Sequence, residues 1–122
     1  MKTVAVIGAS NDRQKFGNKA LRAFERHGYR VIPINPGATE VEGHPAYKSV
    51  LDVPGPIDMA TVYVPANVGV AVMSDLAAKG IAEVWLNPGA DGEAVVARAR
   101  ELGLEPTLAC SIVGIGDSPS RY

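Results

Sequence analysis

Val4-Ala5-Val6-Ile7-Gly8-Ala9-Ser10 runs straight into a polar loop, Asn11 to Lys15, and then Gly17. An apolar run ending in glycine, followed by small residues and a helical pattern, has the form of a first β-α turn that holds a nucleotide. Backbone N–H groups and a helix N-terminus must approach phosphate there with no side chain in the way. Val4 to Ile7 is also short and continuously apolar, which predicts a strand buried on both faces of a parallel sheet.

From Asn18 the spacing predicts an amphipathic helix, with Ala20, Leu21 and Phe24 on one face and Arg22, Glu25 and Arg26 on the other. Gly28 ends it, and the ending recurs. Gly28-Tyr29 precedes Val31 to Ile34, Gly80-Ile81 precedes Glu83 to Leu86, and Gly103-Leu104 precedes Pro106 to Ala109. Glycine accepts the left-handed conformation just past a helix and the next apolar residue packs back on it, so each pair marks a helix-to-strand junction of the Schellman type. Val68, Val72, Met73 and Leu76 are expected to form the buried face of a second helix, and Val95, Ala99 and Leu102 that of a third. Met59 to Val64 supplies the remaining strand.

Alternation of this kind forces parallel strands joined by right-handed crossovers. The predicted fold is α/β: a single Rossmann-like, doubly wound domain spanning residues 1–122, on a five-stranded parallel sheet of strand order 3-2-1-4-5. Only Gly37 to Ile57 lacks a period, with room for a short helix near Ser49 to Val53. Ser118 to Tyr122 reads as a polar, loose end.

Composition narrows the function. With 122 residues, 47% of them hydrophobic, the chain can bury a core without metals or disulfides. A net charge of -1, with Lys and Arg scattered singly, offers no footprint for nucleic acid, and no segment is long and apolar enough to span a membrane. One cysteine makes no internal disulfide and the N-terminus carries no leader pattern, so a cytoplasmic protein is expected.

In open parallel sheets ligands lie outside the carboxyl ends of the strands. Those ends read Gly8-Ala9-Ser10, Asn35-Pro36-Gly37, Val64-Pro65-Ala66-Asn67 and Asn87-Pro88-Gly89. Each alone is equally an ordinary turn; together they point to a ligand. Arg13 and Lys15 are either phosphate partners, with Ser10 and backbone N–H groups completing the cradle, or solvated loop charges. The dinucleotide fingerprint GxGxxG is missing, and Asn35 stands where a NAD-binding domain usually carries Asp or Glu for the ribose hydroxyls. An uncharged residue suits a ribose bearing a 3′-phosphate, although Asn35 also serves as the turn former before Pro36. Gly8→Val is expected to block the phosphate approach in a chain that still folds.

The runs VAVIGAS (4–10) with the later Gly17, GYRVIPINPG (28–37), EGHPAYKSVLDVPGPID (42–58), VYVPA (62–66) and AEVWLNPGA (82–90), in this order, resemble the small stand-alone CoA-binding proteins. These are relatives of the N-terminal CoA-binding domain of the succinyl-CoA synthetase α subunit. The resemblance covers nearly the whole chain. It implies a Rossmann-like fold holding coenzyme A across the strand ends, with Gly8, Ala9, Ser10 and Gly17 near the phosphates, Asn35 and Pro36 near the adenosine ribose, and Val64 and Pro65 against the adenine. Tyr63-Val64-Pro65 offers an apolar edge on which a flat base can lie. Two departures stand out. Relatives often carry Lys or Arg just after the Asn-Pro turn, where it meets the 3′-phosphate; here Gly37, Ala38 and Thr39 follow, so recognition of that phosphate requires Arg13, Lys15 or Arg30 as a substitute. Without such a substitute the resemblance implies no selectivity for CoA over dephospho-CoA. They also commonly end in an Asp-Arg-Cys segment, whereas this chain has Leu108-Ala109-Cys110-Ser111.

Catalytic candidates are few. His27 falls at a helix C-terminus and reads as a dipole cap, His44 as a turn residue, and Cys110 as a buried thiol or one facing the pantetheine end. No spacing suggests a metal site or a Ser-His-Asp set. The reading is a module that binds coenzyme A or a short acyl-CoA, not an enzyme. The rivals are an NAD(P)-binding oxidoreductase-type domain, and a regulatory subunit of a CoA ligase that senses CoA while a protein partner supplies the chemistry.

Overall fold

The computed structural model describes all 122 residues, Met1–Tyr122. Elements follow in the order β1 (Thr3–Ile7), α1 (Phe16–Arg26), β2 (Arg30–Ile34), β3 (Glu40–Val41), β4 (His44–Pro45), a 3-10 turn at Val50–Asp52, β5 (Met59–Val62), α2 (Ala66–Lys79), β6 (Glu83–Leu86), α3 (Glu93–Glu101), β7 (Thr107–Leu108), α4 (Ser111–Gly114) and a second 3-10 turn at Pro119–Arg121. The main sheet is five-stranded and parallel, in the order β2-β1-β5-β6-β7. Every residue of β1 is buried, as a central strand requires.

Alternate residues of β1 feed two separate cores. Val4 and Val6 pack with Leu21 and Phe24 of α1 and Ile112 of α4, while Ala5 and Ile7 pack with Met73 and Leu76 of α2 and Val95 of α3. Each of these Val, Leu, Ile, Met and Phe side chains contributes roughly 1.5–3 kcal/mol on full burial. All three predicted helix stops form: Tyr29 N–H donates to Phe24 O and Gly28 N–H to Glu25 O (both 3.1 Å), with the same pair of bonds at Gly80-Ile81 and Gly103-Leu104. The glycines sit at φ 87, 79 and 80°.

The strand order corrects the expected 3-2-1-4-5. The third long strand, β5, pairs with β1 in the register Val4↔Met59 to Ile7↔Val62, on the side of β1 away from β2. The cause lies in the β2–β5 connection, which places Val50, Val53 and Ile57 in the core of α2 and α3, on the face opposite α1. A right-handed crossover on that face carries the chain back past β1. Part of the same connection is a hairpin, β3 paired antiparallel with β4, that the sequence did not foretell.

Smaller differences matter for the site. β5 stops at Val62, two residues earlier than expected; Tyr63 still donates its N–H to Ile7 O of β1 (2.8 Å), and Val64 lies beyond the sheet. The last strand shrinks to Thr107–Leu108, and α1 starts at Phe16, taking Gly17 into its first turn. On α2 the buried residues are Gly69, Met73 and Leu76, whereas Val68 is exposed and Val72 half-buried. On α3, Val95, Val96 and Ala99 are buried and Leu102 only half-buried.

Ser118 to Tyr122 is docked rather than loose. The Asp117 side chain, fully inaccessible, accepts from the Tyr122 hydroxyl (2.6 Å), the Arg121 guanidinium (3.1 Å) and Ser118 N–H (2.8 Å), and meets His27 Nε2 at 2.9 Å. The Arg22 guanidinium lies over the Tyr122 ring. Hydrogen bonding by Tyr122, with smaller help from Ser118, His27 and Arg121, holds the Asp117 carboxyl well below the usual carboxylate range against the opposing effect of burial. A depressed pKa favours the ionised fold, so this stabilisation is complete above the ordinary aspartate value of about 3.9 and fades as pH falls below it. The melting temperature is therefore expected to drop below about pH 4, and Asp117→Asn should flatten that acid limb. Parallel limbs for the two proteins, measured by calorimetry, would count against it.

Candidate functional site

Because α1 and the β2–β5 connection cover opposite faces, the chain leaves β1 and β5 in opposite directions. That is the switch point where a parallel sheet opens a crevice. A cavity of about 760 Å³ lies there, within the range of small-molecule sites.

The first turn forms one wall. Gly8, at φ 91°, donates its N–H to Ile34 O (3.1 Å). The carbonyls that follow are tied back by two asparagines: Asn35 Nδ2 donates to Ala9 O (2.9 Å) and the buried Asn18 Nδ2 donates to Ser10 O (2.7 Å). Meanwhile the N–H groups of Ala9, Ser10, Phe16 and Gly17, all cavity-lining residues, make no hydrogen bond within the chain. Consecutive free amides at a helix N-terminus form an anion-binding concavity. Lys15 lines the same wall and makes no ion pair.

The packing of this turn leaves no room for side chains. A Cβ at Gly17 would overlap the Gly8 carbonyl, and a Cβ at Gly8 would come within 2.8 Å of Tyr63 O and 3.1 Å of Val64 Cγ1. This corrects the expectation for Gly8→Val. The substitution would push the ends of β1 and β5 apart, so it disturbs folding as well as the crevice.

Beside it stands an apolar wall from Tyr63, Val64 and Pro65, continued along α2 by Val68, Ala71 and Val72. Of the two valines assigned to the core from their spacing, Val68 is an exposed cavity residue, while Val72 packs against the core and lines the cavity as well. Burial raises the Tyr63 phenol above its ordinary value, and its hydroxyl meets Ser111 Oγ at 3.2 Å. At the ends of the cavity lie Asn35, Pro36 and Lys48 on one side and Pro88, Gly89 and Ala90 on another. Asn35 donates to Ala9 O and accepts from Gly37 N–H (2.8 Å), so its amide holds two turns together. Asn87 does the same one strand over, donating to Thr61 Oγ1 (2.7 Å) and Val62 O (2.9 Å) and accepting from Ser111 N–H (2.8 Å).

Of the sequence-derived site residues, Gly8, Ala9, Ser10, Lys15, Gly17, Asn35, Pro36, Val64 and Pro65 meet around this one cavity. Arg13 does not. Its guanidinium pairs with Glu42 of the β3–β4 turn (3.6 Å), while Asn11 donates to Glu40 O (2.8 Å), so the unforeseen hairpin claims both polar loop residues. Arg30 is at the amino end of β2, away from the cavity. Lys48 escaped sequence reasoning because nothing local joins it to Asn35.

The histidines and the cysteine lie elsewhere. His27 bonds to Asp117, His44 Nε2 sits 2.7 Å from Glu25 Oε2, and Cys110 is half-buried at the start of α4 outside the cavity lining. No three His, Cys, Asp or Glu side chains converge as a metal set, and no helix is long and apolar enough to cross a membrane.

Residues 2–120 match the family described as CoA binding domain. The chain is 36% identical, over 91 residues, to the alpha subunit of ADP-forming acetate–CoA ligase II of Pyrococcus furiosus, covering 74% of this chain and 20% of that one. It is 32% identical to the alpha subunit of the same organism's ADP-forming acetate–CoA ligase I, covering 98% of this chain and 29% of that one. The chain thus spans between a fifth and a third of the length of these relatives. A solved structure, a conserved hypothetical protein from Pyrococcus furiosus, superposes with a TM-score of 0.85 at 31% identity, covering 93% of this chain and 99% of that one.

Proposed function

The chain belongs to the CoA binding domain family, and from that membership we propose that it is a coenzyme A-binding module, holding CoA or a short acyl-CoA in the β1–β5 crevice with no catalytic groups of its own. The observation that carries this reading is the set of free N–H groups at Ala9, Ser10, Phe16 and Gly17, joined by the unpaired Lys15, on one wall of the cavity. Such a set suits a pyrophosphate, whose oxygens accept from oriented amides and a cation. The aliphatic wall from Val64 to Val72 suits a flat base, and Asn35-Pro36 borders the ribose position at the end of β2. A cytoplasmic location belongs to the same reading.

Ligand held only by the folded state stabilises it by about 2.7 kcal/mol at a hundred times the dissociation constant. For a chain of this size that is a rise of about 10 °C in melting temperature. CoA is expected to produce it, and NAD and NADP much less. A chain stabilised by NAD and indifferent to CoA would be an NAD(P)-binding domain instead.

One observation favours a second, compatible role. Relatives in which this domain is a fifth to a third of the chain are alpha subunits of ligases, so the module would present CoA to a protein partner that performs the chemistry.

A further inference from the structure

We infer that Lys48 recognises the 3′-phosphate of the ligand, in place of the basic residue missing after Asn35-Pro36-Gly37; this rests on the coenzyme A reading of the cavity. In parallel sheets of this kind the adenosine ribose lies at the carboxyl end of the second strand. Here that end is extended by a segment distant in sequence. Tyr47 bridges Ile34 in parallel, its N–H donating to Pro33 O (3.0 Å) and its carbonyl accepting from Asn35 N–H (2.9 Å). The next residue, Lys48, therefore emerges beside Asn35 and Pro36 and lines the cavity with them.

Its ammonium is uncommitted. Lys48 is exposed and pairs with no carboxylate. Asp75, the one carboxylate in the lining, accepts from Ser49 Oγ (3.4 Å) and pairs with neither lysine. The other candidates are excluded by position: Arg13 is held by Glu42, and Arg30 lines a separate cavity with Glu25 and His44. Lys15 sits with the free amides of the first turn, where the pyrophosphate charge would be. The two lysines thus stand at the two places where coenzyme A carries phosphate, and only the one at Lys48 is absent from dephospho-CoA.

Titration calorimetry of the full chain with CoA and with dephospho-CoA tests the assignment. The wild type is expected to prefer CoA by about tenfold, the size of one charge-assisted phosphate contact. Lys48→Ala should weaken CoA by about tenfold and dephospho-CoA by less than about twofold, bringing the ratio near one, and Lys48→Arg should restore it. Lys15→Ala should weaken both ligands by similar factors. A ratio that survives Lys48→Ala, a ratio near one in the wild type, or a ratio that collapses in Lys15→Ala instead overturns the Lys48 assignment while the CoA reading stands. A wild type that binds neither ligand overturns the CoA reading itself.

Discussion

Gly17→Ala is expected to lower the melting temperature by roughly 10 °C and to abolish stabilisation by CoA, although it adds a single methyl group. The added Cβ would overlap the Gly8 carbonyl, with the Ala9 Cα only 3.3 Å away. Those are backbone atoms of the turn that carries the free amides, and no rotamer change relieves the overlap. Either α1 retreats from the turn or the turn moves into the crevice. Overpacking of a rigid site costs typically 1–3 kcal/mol, and contact with backbone belongs at the upper end; at this chain length each kcal/mol is worth about 3–6 °C. Gly28→Ala is a useful contrast. Its φ of 87° is strained for alanine, but a Cβ there meets nothing within 4 Å, so stability should fall by about 1 kcal/mol with CoA binding retained. Matching CoA titrations of Gly17→Ala and the wild type would show that the helix-to-turn contact does not shape the site.

The second large effect is expected at Asn87, which is 1% exposed and makes every one of its side-chain bonds to buried partners. Asn87→Ala leaves the Ser111 N–H without an acceptor and takes a donor from Thr61 Oγ1 and Val62 O. Unsatisfied buried groups cost about 1–3 kcal/mol each, so a loss of about 3 kcal/mol is expected in denaturant unfolding. Asn87→Asp tests the donor role directly. Its carboxylate cannot donate to Val62 O, so it should be no milder than alanine. A loss under about 1 kcal/mol in both variants would mean that the network linking β5, β6 and α4 contributes little.

What the sequence made legible was local. A glycine followed by an apolar residue closes a helix by itself, and all three junctions are as expected. The single early Gly8 and the later Gly17 likewise announced a close approach of backbone, though the nearest obstacles prove to be the chain's own carbonyls. Strand order was not local. It depends on which face the β2–β5 connection covers, and Gly37 to Ile57 has no helical period to reveal this. The hairpin within it turns at Glu42-Gly43, with Glu42 at φ 49°. Asn-Gly or Asp-Gly is the usual signal for such a turn, and glutamate hides it.

The site itself depends on contacts that are not local. The apolar stripe of α2 is wider than its core contact, so Val68 serves as a cavity wall instead of core, and Val72 both packs on the core and lines the cavity. Asn35 forms the turn expected before Pro36, and its amide also reaches Ala9 O of the first turn, a bond across strands that no local pattern reveals. Lys48 reaches the crevice only through the bridge between Ile34 and Tyr47, thirteen positions apart.

The paired asparagines have a further consequence. Asn35 ties the first turn to the end of β2, and Asn87 ties the end of β6 to β5 and α4, through bonds internal to the chain, so the carbonyls behind the free donors of the first turn are held in place before any ligand arrives. The entropy of ordering that surface is lost when the chain folds, and an incoming ligand gives up chiefly its own freedom. Such a rim should behave as a preformed receptor rather than one that closes around its guest.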